Sequence, residues 1–155
     1  MSGTGTGYGF VVDVDRCFGC HACALACRVA TGGEARAWVL QLESREEGRP
    51  LWIPYVCTQV GEPACGFEGS RTYAPQPPCV RTCPSGAIVY GDLGDPSSPA
   101  GRMIAGGRGR PLPSAPGSPG AYVTGHVPRD LEDSLPDPRS VIPRRRIPVS
   151  AEIVP

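Results

Sequence analysis

The chain has 155 residues and carries 15 basic and 15 acidic side chains, so its formal net charge is zero. This balance gives no support for a nucleic-acid partner or for an anionic membrane bound through bulk charge. Eight cysteines are many for this length, and they indicate either a disulfide framework or metal sites, depending on the redox compartment.

The first ten residues are rich in glycine and threonine and contain neither a basic start nor an apolar run, so they do not resemble a signal peptide. No stretch reaches the roughly 18 apolar residues that a membrane helix needs. We therefore expect a cytoplasmic protein without direct membrane insertion, although export together with a folded partner subunit stays open. In a reducing compartment, clustered cysteines bind metal more often than they form disulfides.

Apolar runs predict four extended segments, at residues 10–14, 38–42, 51–56 and 87–90. Pro54 makes the third of them an edge strand or a segment outside the hydrogen-bonded ladder. The alanine-rich stretch 20–30 predicts a loop that turns into a short helix, which Gly32 and Gly33 end. Residues 61–78 predict an irregular loop. Together these segments favour a small α+β fold of the ferredoxin type with two short helices and few strands.

The composition changes at residue 96, and twelve of the 19 prolines lie between there and the last residue. Residues 106–120 predict neither a helix nor a central strand. We therefore divide the chain into a cysteine-rich domain at 8–95 and a Pro/Gly-rich extension at 96–155. Because so little apolar surface accompanies the prolines, we expect the extension to be partly disordered or to lie extended on a partner subunit.

Four cysteines follow the strand at residues 10–14 with the spacing Cys17-x2-Cys20-x2-Cys23-x3-Cys27. Three thiolates at two-residue gaps can each reach a different iron of one cubane, and in two-cluster ferredoxins the fourth ligates the other cluster. Zinc needs only two close pairs and gains nothing from the third cysteine. The spacing therefore favours iron–sulfur over zinc, and over a disulfide framework.

The second group consists of Cys57, Cys65, Cys79 and Cys83, and the last is followed by a proline. Exchange of the last cysteine between the groups predicts two [4Fe–4S] clusters. The first would be held by Cys17, Cys20, Cys23 and Cys83. The second would be held by Cys27, Cys57, Cys65 and Cys79.

One position departs from the usual second group, which begins Cys-x2-Cys. Val60 stands where the second cysteine is expected, so Cys65 would have to reach the cluster from a longer loop. The alternative is a three-iron cluster with Cys65 free. We favour Cys65 as a ligand because it completes two sets of four thiolates.

Several stretches resemble the iron–sulfur subunits of the dimethyl-sulfoxide-reductase family of molybdenum and tungsten oxidoreductases. They are residues 17–27 (CFGCHACALAC), 36–39, 54–57, 78–87 (PCVRTCPSGA), 90–97 and 120–123. The resemblance implies an electron-transfer subunit that serves a catalytic subunit with a molybdenum or tungsten pterin cofactor, and it leaves room for a further electron-carrier or membrane subunit. Members of that family commonly have sixteen cysteines and four clusters, twice what this chain offers.

The sequence contains no nucleophile–base signature, no phosphate-binding loop after a strand and no carboxylates at metal-ligand spacing. We therefore expect no catalytic site in the chain itself. The leading hypothesis is an electron-transfer subunit with two [4Fe–4S] clusters. A freely diffusing two-cluster ferredoxin and a structural or assembly protein with redox-silent metal sites are the alternatives.

Overall fold

The computed structural model describes residues 7–33, 36–61, 65, 76–107 and 109–142. The elements, in chain order, are β1 Tyr8–Asp13, α1 Ala22–Ala30, β2 Trp38–Ser44, β3 Arg49–Tyr55, a 3-10 turn at Cys57–Gln59, α2 Pro78–Thr82, β4 Ile88–Asp92, α3 Pro99–Gly107, β5 Arg110–Pro111, β6 Ala121–Thr124, α4 Arg129–Glu132 and α5 Pro138–Val141. The architecture is α+β, as the sequence predicts. Within the described ranges, no helix is long and apolar enough to cross a bilayer.

A four-stranded sheet has the order β4-β1-β6-β5. Strand β1 pairs antiparallel with β4, with Phe10 opposite Tyr90, and parallel with β6, with Phe10 opposite Ala121. The continuous apolar run in β1 suits this position because a strand covered on both faces has no polar side to present. Phe10, Val11 and Val12 are accordingly at most 1% exposed.

Strands β2 and β3 form a separate antiparallel hairpin, in register from Trp38 opposite Tyr55 to Ser44 opposite Arg49. Pro54 lies inside β3, and its missing N–H is tolerated because a strand of a two-stranded sheet has one unpaired edge. Ile53 and Tyr55 are fully buried and belong to the same apolar core as Phe10 and Ile88 of the sheet. The hairpin and the four-stranded sheet therefore share one core.

The structure differs from the prediction of a separate extension at residues 96–155. Strand β6 lies inside the four-stranded sheet, next to the central strand β1. Leu112, Val123 and Ile142 are each at most 4% exposed and belong to the common core. The predicted boundary between residues 95 and 96 thus falls within one sheet and one core. Residues 143–155 of the predicted extension lie outside the described residues.

The difference between prediction and structure arises because amino-acid composition averages over residues that occupy different positions in the fold. The prolines at 111, 113, 116 and 119 lie in the edge strand β5 and in the loop before β6, where missing N–H groups cost no ladder hydrogen bonds. The four residues of β6 contain no proline, and three of them are buried. A short apolar segment in the right register is sufficient to join the core.

Candidate metal centres

The described cysteines line two separate cavities, four in each. The first cavity is lined by Cys17, Cys20, Cys23 and Cys83. The second is lined by Cys27, Cys57, Cys65 and Cys79. We call them the first and second cysteine sites. The structure thus brings together the same two sets of four that the spacing predicts, and iron binding by these thiols stays a prediction.

Helix α1 contributes one cysteine to each site, and α2 together with the residue directly after it does the same. Cys23 and Cys27 are four residues apart on α1, which places them about 6 Å apart along the helix axis. Cys23 lines the first site, and Cys27 lines the second. The order is reversed at α2, where Cys79 lines the second site and Cys83, directly after the helix, lines the first. The two sites therefore lie side by side beneath the same pair of helices.

The first cysteine site is the more exposed one. Cys20 is exposed, and Cys17 and Cys83 are half-buried, whereas Cys23 is buried. Burial raises the pKa of the Cys23 thiol to about 12. Such a thiol is protonated at neutral pH unless a cation compensates the desolvation of the thiolate.

Cys83 has the opposite electrostatic environment. Burial by itself would raise its pKa, but hydrogen bonds from the backbone N–H groups of Ile88, Ala87 and Ser85 and from the Ser85 hydroxyl outweigh it and lower the pKa. The Ala87 N–H donates to the Cys83 Sγ at 3.3 Å. The turn between α2 and β4 therefore stabilises a thiolate at this position before any metal is considered.

The second cysteine site is more enclosed and has an apolar lining. Phe10, Ala37, Val56, Pro77 and Pro78 complete its wall. Burial raises the pKa of Cys57 to about 12 and raises that of Cys79 well above its ordinary value, and the neighbouring cysteines add to both shifts. This mutual influence agrees with thiols that face a common space. Four thiols in an apolar-lined cavity, two of them buried and two half-buried, are a suitable donor set for a thiolate-ligated cluster.

A left-handed backbone shapes the loop of the first site. Gly19 has φ +77°, and His21, which precedes α1, has φ +62°. A Cβ at Gly19 would lie 2.6 Å from the indole nitrogen of Trp52 on the hairpin. Glycine is thus required at position 19 for two reasons, which are the positive φ of the backbone and the close approach of the Trp52 indole. His21 lines the cavity and contacts the Trp38 ring edge-on, with the centroids 5.3 Å apart.

Gln59 is a supporting residue that sequence reasoning missed. Its side chain is fully buried; the Oε1 accepts from the Val56 N–H at 2.7 Å, and the Nε2 donates to the Pro113 carbonyl at 2.9 Å. The Ala115 N–H also donates to the Gln59 carbonyl at 2.7 Å. The turn that carries Cys57 is therefore anchored to the C-terminal segment. The signal available in the sequence was a glutamine two residues after the predicted ligand Cys57. No neighbouring residue indicates that its side chain would bind the distant Pro113.

No three cysteine, histidine or acidic side chains in the described ranges converge closely enough to hold one metal ion between them. In a cubane, each thiolate binds a different iron, so the four thiols surround a larger space than they would around a single zinc ion.

Two curated proteins are similar to part of the chain, and no family model matches it. A tetrathionate reductase subunit of Archaeoglobus fulgidus is 28% identical over 102 residues, which covers 54% of this chain and 48% of the relative. The respiratory nitrate reductase beta chain of a Bradyrhizobium species is 32% identical over 80 residues, which covers 52% of this chain and 20% of the relative. The chain spans about half the length of the first relative and a fifth of the second. It is thus similar to subunits of multi-subunit reductases.

Proposed function

We propose that this chain is an electron-transfer subunit with two [4Fe–4S] clusters, which relays single electrons to or from a catalytic subunit with a molybdenum or tungsten pterin cofactor. The observation that carries the proposal is the pair of cavities, each lined by four cysteines and, among the described residues, by no other metal-ligating side chain apart from His21. Four thiolates per site are the donor set of a [4Fe–4S] cluster, and none of the eight cysteines is left over.

Each part of the chain has a defined task in this proposal. A bound cluster would supply outer-sphere one-electron transfer without breaking a substrate bond. The eight thiols would hold the clusters, and the apolar wall of the second site would exclude water from it. The N–H groups that face Cys83 would stabilise its thiolate. Solvent exclusion and hydrogen bonds to sulfur both influence a cluster's potential.

The comparisons support the relay role. Both relatives are named as one component of a reductase, which agrees with the resemblance of residues 17–27 and 78–87 to iron–sulfur subunits of the dimethyl-sulfoxide-reductase family. We assign no substrate chemistry to the chain itself and place the catalytic site on its partner. A freely diffusing ferredoxin would need no such partner, which makes complex formation the discriminating property.

Anaerobic expression together with the products of the neighbouring genes tests the proposal. We expect about eight irons and eight acid-labile sulfides per chain, since two cubanes contain that number, and copurification with a pterin-containing subunit. Electron paramagnetic resonance of the reduced protein should show two interacting clusters. A chain with zinc in place of iron would contradict the proposed cofactors. An iron-loaded chain that elutes alone would favour the freely diffusing ferredoxin.

A further inference from the structure

The outer faces of α1 and α2 form an open groove that is almost entirely apolar. It is lined by Ala22, Leu25, Ala26, Val29, Ala30, Pro78, Arg81 and Thr82. Leu25 and Val29 are 63% and 75% exposed, although large apolar side chains elsewhere in the described chain are mostly covered. Adjoining exposed apolar side chains are candidates for an interaction surface.

The groove lies opposite the cysteines on the same two helices. Residues 22, 25, 26 and 29 recur at the three- and four-residue spacing of one helix face, whereas Cys23 and Cys27 point to the buried side of α1. Cys79 is likewise the buried residue of α2. A helix with its side chains is about 10–12 Å across. A partner seated in the groove would therefore be separated from both cysteine sites by a single helix layer.

The charge in the groove indicates what kind of surface it would accept. Arg81 is the one charged side chain among the lining residues, and it is exposed. Its guanidinium forms no ion pair with any residue in the described ranges. In those ranges Arg16, Arg49, Arg110 and Arg139 have acidic partners, whereas Arg81, like the exposed Arg102, has none. The groove thus offers, beside an apolar floor, a cation that has no acidic partner in the part of the chain that the structure describes.

We propose that this groove is the docking surface for the catalytic partner subunit. Its occupant is an apolar ridge of that subunit with a carboxylate side chain opposite Arg81. The inference rests on the proposed function, because it takes the two clusters to be present beneath the helices. Electrostatic complementarity at the rim would act on the association rate and its salt dependence, and the apolar centre on the lifetime of the complex.

The test uses the complex isolated from the source organism with tagged variants of the full chain. Leu25→Gln with Val29→Thr removes the apolar centre, and Arg81→Glu reverses the charge. Arg102→Glu makes the same charge change at an exposed position of α3, outside the groove. A photo-reactive residue at position 29 or at position 102 reports what lies against each surface. Iron and sulfide per chain are measured on every variant.

We expect both groove variants to weaken binding of the catalytic subunit at least tenfold, as roughly 1.4 kcal/mol at an interface centre would, and Arg102→Glu to leave it unchanged. The cross-link from position 29 should map to an apolar peptide of the catalytic subunit with a nearby acidic residue. Cross-links to a second copy or within the same chain would overturn the inference, as would unchanged binding of the iron-loaded groove variants. A wild-type chain that lacks iron would instead count against the proposed function.

Discussion

At the residue scale, the two cysteine sites differ in exposure. The first includes the exposed Cys20 and is open to solvent, and the second contains the buried Cys27 and Cys79. Since solvent exposure and hydrogen bonds to sulfur both change a cluster's potential, two clusters in these sites would have different potentials. The residues around each site would thus set the potential of its own cluster separately.

Cys65 is the residue whose role the spacing leaves most open, and the structure places it at the wall of the second site. Replacing it with serine should remove or convert the second cluster and spare the first. The iron content should then fall from about eight to between about four and seven per chain. Unchanged iron and an unchanged spectrum would show that Cys65 is not a ligand.

Gln59 should be required for the second site through its buried hydrogen bonds. Gln59→Leu keeps the approximate volume but leaves the Val56 N–H and the Pro113 carbonyl without their side-chain partner. Each buried polar group left unpaired costs about 1–3 kcal/mol of unfolding free energy. Denaturant titration should show that loss, with the second cluster released first. Gln41→Leu, on the exposed face of β2, is the matched control, and an equal effect there would contradict the role of Gln59.

At the element scale, α3 illustrates how tightly the C-terminal segment is attached. The Ser98 hydroxyl oxygen accepts from the Gly101 N–H at 2.9 Å and so caps the first turn. The same hydroxyl donates to the Asp92 carbonyl at the end of β4. Helix α3 is therefore joined to the sheet at its first turn, where the backbone of residue 95 passes very close to Gly101.

Two glycines of α3 make a matched pair. A Cβ at Gly101 would collide with the carbonyl oxygen of Asp95, whereas a Cβ at Gly106 would meet nothing within 4 Å. Gly101→Ala should therefore lower the free energy of unfolding by about 1–3 kcal/mol through overpacking. Gly106→Ala should raise it by up to about 1 kcal/mol through helix propensity. Thermal or denaturant unfolding measures both, and equal effects of the two changes would argue against the close contact.

Asp130 joins the hairpin turn to α4 and should make this junction sensitive to acid. Partial desolvation would raise its pKa, but hydrogen bonds from the Ser44 hydroxyl and the N–H groups of Arg45 and Glu46 outweigh it and lower the pKa below its ordinary value of 3.8. A depressed native pKa means that the carboxylate stabilises the fold above about pH 4 and loses this effect as the pH falls through the native pKa. Asp130→Asn removes the effect at every pH.

The measurement for Asp130 is the difference in unfolding free energy between wild type and Asp130→Asn at several pH values. We expect wild type to be the more stable at pH 6 and the difference to shrink below pH 4. A difference that does not depend on pH would show that the hydrogen bonds do not require the charged carboxylate.

At the scale of the whole molecule, the sheet, the hairpin and the C-terminal segment share one core. The C-terminal segment supplies β6 to the sheet and also holds the Cys57 turn through Gln59. The second cysteine site is thus assembled from parts that are distant in sequence. Loss of the C-terminal packing should therefore disturb the metal sites as well as local structure.

A pair of leucines tests whether residues 96–142 unfold together with the rest. Leu112 is 4% exposed and Leu25 is 63% exposed. Leu112→Ala should cost about 2–5 kcal/mol of unfolding free energy, and it should lower the midpoints for cluster absorbance and for backbone circular dichroism together. Leu25→Ala should stay within about 0.5 kcal/mol of wild type in the isolated chain. A Leu112→Ala chain whose cluster absorbance melts like wild type would favour a separate extension.

The sequence by itself determined which thiols can act together and where most of the strands lie. Cysteines three or four residues apart are confined to one loop or one helical turn by the covalent chain, so their spacing limits what they can ligate. The apolar runs at 10–14 and 87–90 likewise indicate buried strands, and these pair in the structure as β1 and β4. Such local patterns remain readable because they depend on neighbours in the chain.

Only the tertiary structure decided the place of β6, the role of Gln59 and the exposure of Leu25 and Val29. Strand β6 pairs with a strand more than a hundred residues earlier, and its four residues are too short a pattern to name that partner. The role of Gln59 depends on the hydrogen bond from its side chain to the Pro113 carbonyl, 54 residues away. Pairing over such distances depends on register and on the packing of the whole core, neither of which is encoded in any local stretch.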